Sequence, residues 1–392
     1  MVSSRSERVS SRRASGIAGH HPEQIIAIKG ATKMRTITTR ADFLACFEGY
    51  AGDAVPYVAD LTLWLDWQRS RGTLPTEWRD YTPRQVAEAL GTPLWQPVRA
   101  WRLEASEAEV IREEREGERR LRYRTAAGEL QARWTLGPDG DWWQSEYPVK
   151  TAADIPIARQ WIAAQRYALD PAVWQDTAAP DVIPAIELPK APYSELLHTW
   201  IGWSEGVLLL MGDEREPLLE LLDLIDAQYR ELVVGLARLP GALALAPDNL
   251  DGQFITPTAL RDHMADTYRF VAETLHAHGK RLIVHLGGTG RHLLRGLADA
   301  GVDGIEGVAG PPQSDMPLPL AREKAGPLMV LWGGIPQDYL LASQPEEDLR
   351  KAVEEAVQLA RADGRVILGV ADRVPAQADW RRLRVLAEMV RA

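Results

Sequence analysis

The chain has 392 residues and 43.6 kDa, enough for two or three ordinary domains or one large barrel with additions. At 45% hydrophobic and 26% charged residues it is globular in composition, which excludes wholesale disorder and collagen-like repeats. With 45 Lys and Arg against 55 Asp and Glu, the net charge of −10 argues against a nucleic-acid partner, because phosphate contacts need clustered cations. The single cysteine, Cys46, excludes an intramolecular disulfide and a thiolate-rich zinc site, and fits a cytoplasmic location. The longest apolar runs, 206–211 and 328–332, fall far short of the ~20 residues of a membrane span, so no membrane association is expected.

Residues 1–33, rich in Ser, Arg and Gly, read as a disordered tail. Ordered patterning begins after Met34, so the folded unit is expected over 34–392. A helix is expected at 40–50, a strand at 54–61, an amphipathic segment running to Arg71, and a second helix at 83–90 ended by Gly91. From 97 to 148 the period changes. Strand-like stretches separated by turns at 126–128 and 138–140 predict a small antiparallel β insertion. Beyond Lys150, short apolar strands alternate with amphipathic helices, the pattern of parallel strands joined by right-handed crossovers. The strands expected there are 182–187, 207–211, 242–247, 281–285, 304–308, 328–332 and 365–370, with helices notably at 257–278, 291–300, 345–362 and 375–390. Together with 54–61 they make eight, and an α/β fold of the (β/α)8 TIM-barrel type is the economical answer. Neither GxGxxG nor GxxxxGK[ST] is present, so nothing in the sequence supports a nucleotide cofactor.

In such a barrel the chemistry sits where strands end. The polar residues closing the apolar runs are Asp248 and Asn249, His285, Glu306, and Asp372 with Arg373; the Gly333-Gly334 pair closes another. Asp248 or Asp372 alone reads equally well as a helix cap. His285 ends a Leu, Ile and Val strand ahead of Gly287-Gly288, which marks a ligand or acid/base group, or else a satisfied core histidine. Glu306, inside the next apolar strand, must be paired, protonated or metal-bound, because an isolated buried carboxylate is too costly. The two are expected to face each other. His198, His263, His276, His278 and His292 fall on predicted helices and read as surface or packing residues. Of the 14 tryptophans, Trp64, Trp67 and Trp78 cluster with Arg69 and Arg71, either as packing against the barrel or as an aromatic wall for a flat or methylated substrate.

Several segments carry a resemblance: 146–155 (EYPVKTAADI), 246–257 (APDNLDGQFITP), 276–288 (HAHGKRLIVHLGG), 300–316 (AGVDGIEGVAGPPQSDM), 331–336 (LWGGIP) and 367–375 (ILGVADRVP). From about Arg40 onward the chain resembles the uroporphyrinogen decarboxylase superfamily, a βα-barrel group that includes corrinoid-linked methyltransferases. The Arg-rich PxWxMRQAGRY signature of tetrapyrrole decarboxylases is missing; 56–75 reads PYVADLTLWLDWQRSRGTLP. The methyltransferase branch is the nearer one, and there a zinc ion is held by a His-x-Cys pair, a Glu and a last-strand Cys. His285 and Glu306 match two of these ligands. Gly287 stands at the first cysteine position and Asp372 is the coordinating residue nearest the second, so the resemblance implies a zinc site of His285, Glu306 and Asp372.

That resemblance implies a methyltransferase moving a methyl group from an O- or N-methylated small molecule to a corrinoid on a partner protein, since no DxHxxG corrinoid motif occurs here. Its expected groups are His285, Glu306 and Asp248 for catalysis, with Asp60, Trp64, Asn249, Asp372 and Arg373 around the substrate. Two alternatives stay open: a cofactor-independent decarboxylase using Asp60 or Asp248, and a non-catalytic ligand-binding barrel.

Overall fold

A computed structural model of the protein describes residues 37–392 apart from 107–108, 139, 175–178 and 204. The expected tail, 1–33, lies outside the described residues. The strands are β1 (Leu94–Val98), β2 (Trp101–Ala105), β3 (Glu109–Arg115), β4 (Glu118–Thr125), β5 (Gly128–Leu136), β6 (Trp142–Glu146), β7 (Gln165–Leu169), β8 (Val182–Glu187), β9 (Leu243–Leu250), β10 (Arg281–Leu286), β11 (Gly304–Val308), β12 (Val330–Ile335) and β13 (Val366–Val370). Seven of them form one parallel sheet in the order β1-β8-β9-β10-β11-β12-β13. The eighth stave is the extended segment around Tyr57. It bridges Leu368 in parallel, with Val58 N–H donating to the Leu368 carbonyl at 2.9 Å and Leu368 N–H to the Pro56 carbonyl at 2.8 Å. On its other side Ala59 N–H donates to Thr92 Oγ1, just ahead of β1, at 3.1 Å. The eight staves make a TIM-barrel-like fold.

One expected strand is corrected. Residues 207–211 lie in the helix Glu205–Met211, with Leu208 and Met211 largely exposed, which a barrel strand buried on both faces would not allow. Its Leu and Met residues lack the β-branching that favours a strand. The missing stave is β1, whose Pro97 reads as a strand breaker. It is tolerated because β1 carries a ladder on one side only, against β8. The remaining barrel strands are near-continuous apolar runs, and all five residues of β11 and of β13 are buried. The helices follow equally direct signals. Helix Pro83–Leu90 opens on a Thr82–Gln85 capping box with proline in the first turn and ends at left-handed Gly91. Helix Glu346–Ala362 buries the stripe Leu349, Val353, Ala356, Val357 and Ala360 and carries three acids in its first turn.

A separate apolar cluster fills the barrel interior. Helix Arg40–Ala45 and the turn after it bring Phe43, Cys46 and Phe47 against Trp95, Ile283, Trp332 and Ile367 from the strands. Tyr50 N–H donates to the Gly364 carbonyl, and Arg281 pairs with Glu48, so this plug closes the end where the strands begin. Trp95 and Trp332 meet edge to face at 4.7 Å, and Phe43 meets Trp332 likewise at 5.3 Å. The open end is therefore the other one, where the strands finish. Between β2 and β7, which pair with each other, β3 to β6 form a four-stranded antiparallel sheet; Pro97 and Val98 belong to the barrel strand β1. No helix among the described residues is long and apolar enough to cross a membrane.

Candidate active site

Strand pairing brings the central groups together. His285 on β10 is the ladder partner of Glu306 on β11, Glu306 of Trp332 on β12, and Trp332 of Ile367 on β13. Paired residues share a face of the sheet. Trp332 and Ile367 belong to the interior cluster, so His285 and Glu306 also point into the barrel. Glu306 is followed by Gly307 (φ 99°), where an added Cβ would fall 2.0 Å from the Leu286 carbonyl oxygen. Only glycine permits the bulge that breaks the β11–β12 register at this point.

His285 Nδ1 is hydrogen-bonded to Glu306 Oε2, while Nε2 faces Asp372 Oδ1 at 3.7 Å. The His285 side chain keeps 16% exposure and that of Asp372 26%, so the cluster is nearly dry but opens by a narrow window onto the barrel mouth. Burial alone would depress the imidazole, but the charge and hydrogen bond of Glu306, with Asp372 behind them, outweigh it and raise His285 to about 9. Glu306 is pushed up to about 7 by burial, in spite of His285. Both shifts retain a proton in the pair. Asp372 (φ 63°) and Asn249 (φ 51°), both at strand ends, are the positive-φ non-glycine residues among those described, a cost that aspartate and asparagine bear best. Arg373 donates to Asp141 Oδ2 at 2.9 Å and so ties the residue ahead of β6 to the mouth.

The other expected residues separate into groups. Asp60 ends the first stave and belongs with the cluster. Its Oδ1 accepts from Thr62 N–H at 2.8 Å and Thr62 Oγ1 at 2.6 Å, burial raises its pKa, and its charge is felt at Glu306. Asp248 is fully buried. It accepts from Ala191 N–H and Tyr268 Oη, each at 2.5 Å, so it fixes the turn after β8 and does not open onto the mouth. Asn249 is exposed at the mouth. Trp64 does not form a wall: it is 1% exposed, and its indole N–H donates to the Ala378 carbonyl at 3.0 Å. Trp78 likewise packs on Trp380. The amphipathic helix that carries Trp64 turns this face inward, which corrects the aromatic-wall expectation.

The donor set does not fit the zinc site that the resemblance implies. A catalytic zinc needs three ligands converging with free lone pairs. Here one imidazole nitrogen is taken by Glu306 and the other stands off Asp372, and no three His, Cys, Asp or Glu side chains among the described residues are grouped to hold a metal ion. A side chain at 287 would have to displace Asn249, since a Cβ on Gly287 would fall 1.5 Å from Asn249 Oδ1. The asparagine carboxamide fills that volume.

Sequence reasoning missed His198, which was read as a surface or packing residue on an ordinary helix. It lies on a π-helical turn, Leu196–Ile201, with its ring toward the carbonyls of Asp248 and Asn249. A 3.6-residue periodicity carries no sign of such a turn. The Arg373–Asp141 pair was also missed, because 232 residues separate its members.

The family model for uroporphyrinogen decarboxylase (URO-D) matches residues 204–392. The matched segment carries β9 to β13 and with them His285, Glu306, Asp372 and Arg373. In fold, the chain is similar to a methyltransferase from Methanosarcina mazei, with a TM-score of 0.57 and 12% identity over 90% of this chain and 98% of that one. A structure from work on the pneumococcal virulence factor StrH matches at 14% identity over 54% of this chain and 58% of its own, with a TM-score of only 0.28. No curated protein matches the chain.

Proposed function

We propose that the protein is a methyltransferase that removes a methyl group from an oxygen- or nitrogen-linked small-molecule donor. The observation that carries this reading is His285 held between Glu306 and Asp372 at the barrel mouth. Methyl transfer leaves an electron pair on the donor's oxygen or nitrogen, and breaking that bond is slow unless the leaving atom receives a proton. His285 is placed to supply it. With Nδ1–H engaged by Glu306, the proton on Nε2 points to the space beside Asp372, where the leaving atom would bind. Glu306 fixes the ring and stabilises its charged form. Asp372 competes for the same proton and orients it toward the donor. Arg373 and Asn249 line the approach, and Asp60 adds to the negative field that keeps His285 charged.

The methyl group passes to a nucleophile, and a corrinoid held by a separate cytoplasmic partner would supply it. The zinc ion implied by the resemblance has no part in this reading, because the residues do not fit it. The fold shared with the Methanosarcina methyltransferase supports the choice, as does the URO-D match.

The test is to incubate the protein with cob(I)alamin and a panel of methyl ethers and methylamines, following methylcobalamin by its absorbance. Turnover of at least one donor, lost by two orders of magnitude or more in His285→Gln, is expected. No transfer from any donor, or transfer unchanged in His285→Gln, would overturn the reading.

A further inference from the structure

The crossover after β8 and the loop after β9 meet at the barrel mouth, where the mechanism above gives them no task. The π-helical turn Leu196–Ile201 aims His198 at the end of β9. Such turns are short insertions that re-direct a side chain, and they recur at functional sites. The ring meets the carbonyls of Asp248 and Asn249, yet its Nε2 is buried with no hydrogen-bond partner. A buried polar atom without a partner asks for one. Burial, and then Lys190, hold the imidazole down to about 3, so it is neutral, with one ring nitrogen protonated and the other carrying a lone pair. The charge of His285 also reaches it, and Asn249, at the end of β9, lies over Gly287, two residues past His285 on the neighbouring strand, so the two histidines flank adjacent strand ends.

An aromatic platform adjoins this nitrogen. His198 stands edge-on to Trp203 with ring centroids 4.3 Å apart, and Trp203 leans on Phe254 at 4.7 Å. Phe254, in the loop after β9, leaves 42% of its surface open to solvent. A large apolar ring left open beside an unpartnered ring nitrogen makes a site for a flat molecule that carries a polar group on its edge.

We propose that His198, Trp203 and Phe254 form the subsite for an aromatic ligand, its ring against Trp203 and Phe254 and a ring hydroxyl, which can donate or accept, hydrogen-bonded to His198 Nε2. This deepens the methyltransferase reading and rests on it for the ligand's role as methyl donor: the donor would be an aryl methyl ether with a neighbouring hydroxyl. A phenolic oxygen is also the better leaving group, and His285 would protonate it.

Binding can be measured by calorimetry on the full chain with 2-methoxyphenol, methoxybenzene and 2-methoxycyclohexanol, without any methyl acceptor. The expected order is 2-methoxyphenol tightest, with each of the other two about tenfold weaker. Phe254→Ala should weaken both aromatic probes about fivefold, and its exposed position spares the fold. His198→Leu should erase the preference for 2-methoxyphenol over methoxybenzene. Equal binding of 2-methoxyphenol and 2-methoxycyclohexanol, no binding at all, or affinities unmoved in both variants would overturn the subsite. The stated binding order without methyl transfer from any donor would overturn the methyltransferase reading and leave the subsite standing. Methyl transfer unmoved by both substitutions would remove the subsite alone.

Discussion

His285 and Glu306 are direct ladder partners on adjacent parallel strands, so backbone pairing itself sets the imidazole against the carboxylate. No loop has to close to assemble them. The pair sits beside a plug of Phe43, Trp95 and Trp332, which shields it from solvent on the closed side of the barrel. Dryness strengthens the electrostatic coupling that keeps the proton in place.

The pH dependence follows from the raised pKa values. The acid form of His285 is lost as pH rises through about 9, so methyl transfer should stay level to pH 8 and then fall. In Glu306→Gln the largest support for the proton is gone, and the fall should begin near the ordinary histidine value of ~6.5, with a loss of about tenfold at pH 7.5. Rate against pH for the two proteins checks this.

Stability should move the same way. His285 and Glu306 both bind protons more tightly folded than unfolded, so their contribution is full below ~4.5, shrinks as pH rises, and is lost above about 9. The fall in melting temperature between pH 5 and pH 9 should therefore be smaller in His285→Gln/Glu306→Gln than in the wild type, by calorimetry at each pH.

Gly287 and Asn249 should be coupled. Gly287→Ala puts a methyl group where Asn249 Oδ1 lies, and forcing that exposed side chain into another rotamer should cost about 0.5–1.5 kcal/mol. Most of that should return in Gly287→Ala/Asn249→Ala, because the second change empties the contested volume. A double-mutant cycle by urea denaturation reads the coupling, and strict additivity would contradict the geometry.

Trp64 should behave as a core residue. Trp64→Ala removes a fully buried ring and the hydrogen bond to Ala378, and a loss of ~3–5 kcal/mol in unfolding free energy is expected. The affinity of the folded variant for 2-methoxyphenol should be unchanged, a measurement that separates core from pocket.

The barrel was legible because buried parallel strands write themselves as short apolar runs, and β8 to β13 stand close to where the sequence puts them. The failure at 207–211 has a physical source: five apolar residues fit a buried strand or one turn of helix, and only their exposure decides. At the site, the juxtaposition of His285 and Glu306 was readable from strand ends alone. Asp248 was not separable from them, since a carboxylate anchoring a turn and one facing a ligand follow a strand in the same way. His198 stayed hidden because its function depends on a π-helical turn, and Asp141 because its contact with Arg373 exists only once the inserted sheet folds back to the mouth.

The most direct measurement is an NMR titration of the His285 ring nitrogens in the wild type, assigned by comparison with His285→Gln. The account predicts a ring that holds both protons at pH 7 and releases one only near pH 9, with that release shifted down in Glu306→Gln. A His285 that is already neutral at pH 7 would contradict it, because no proton would then be available for the leaving atom.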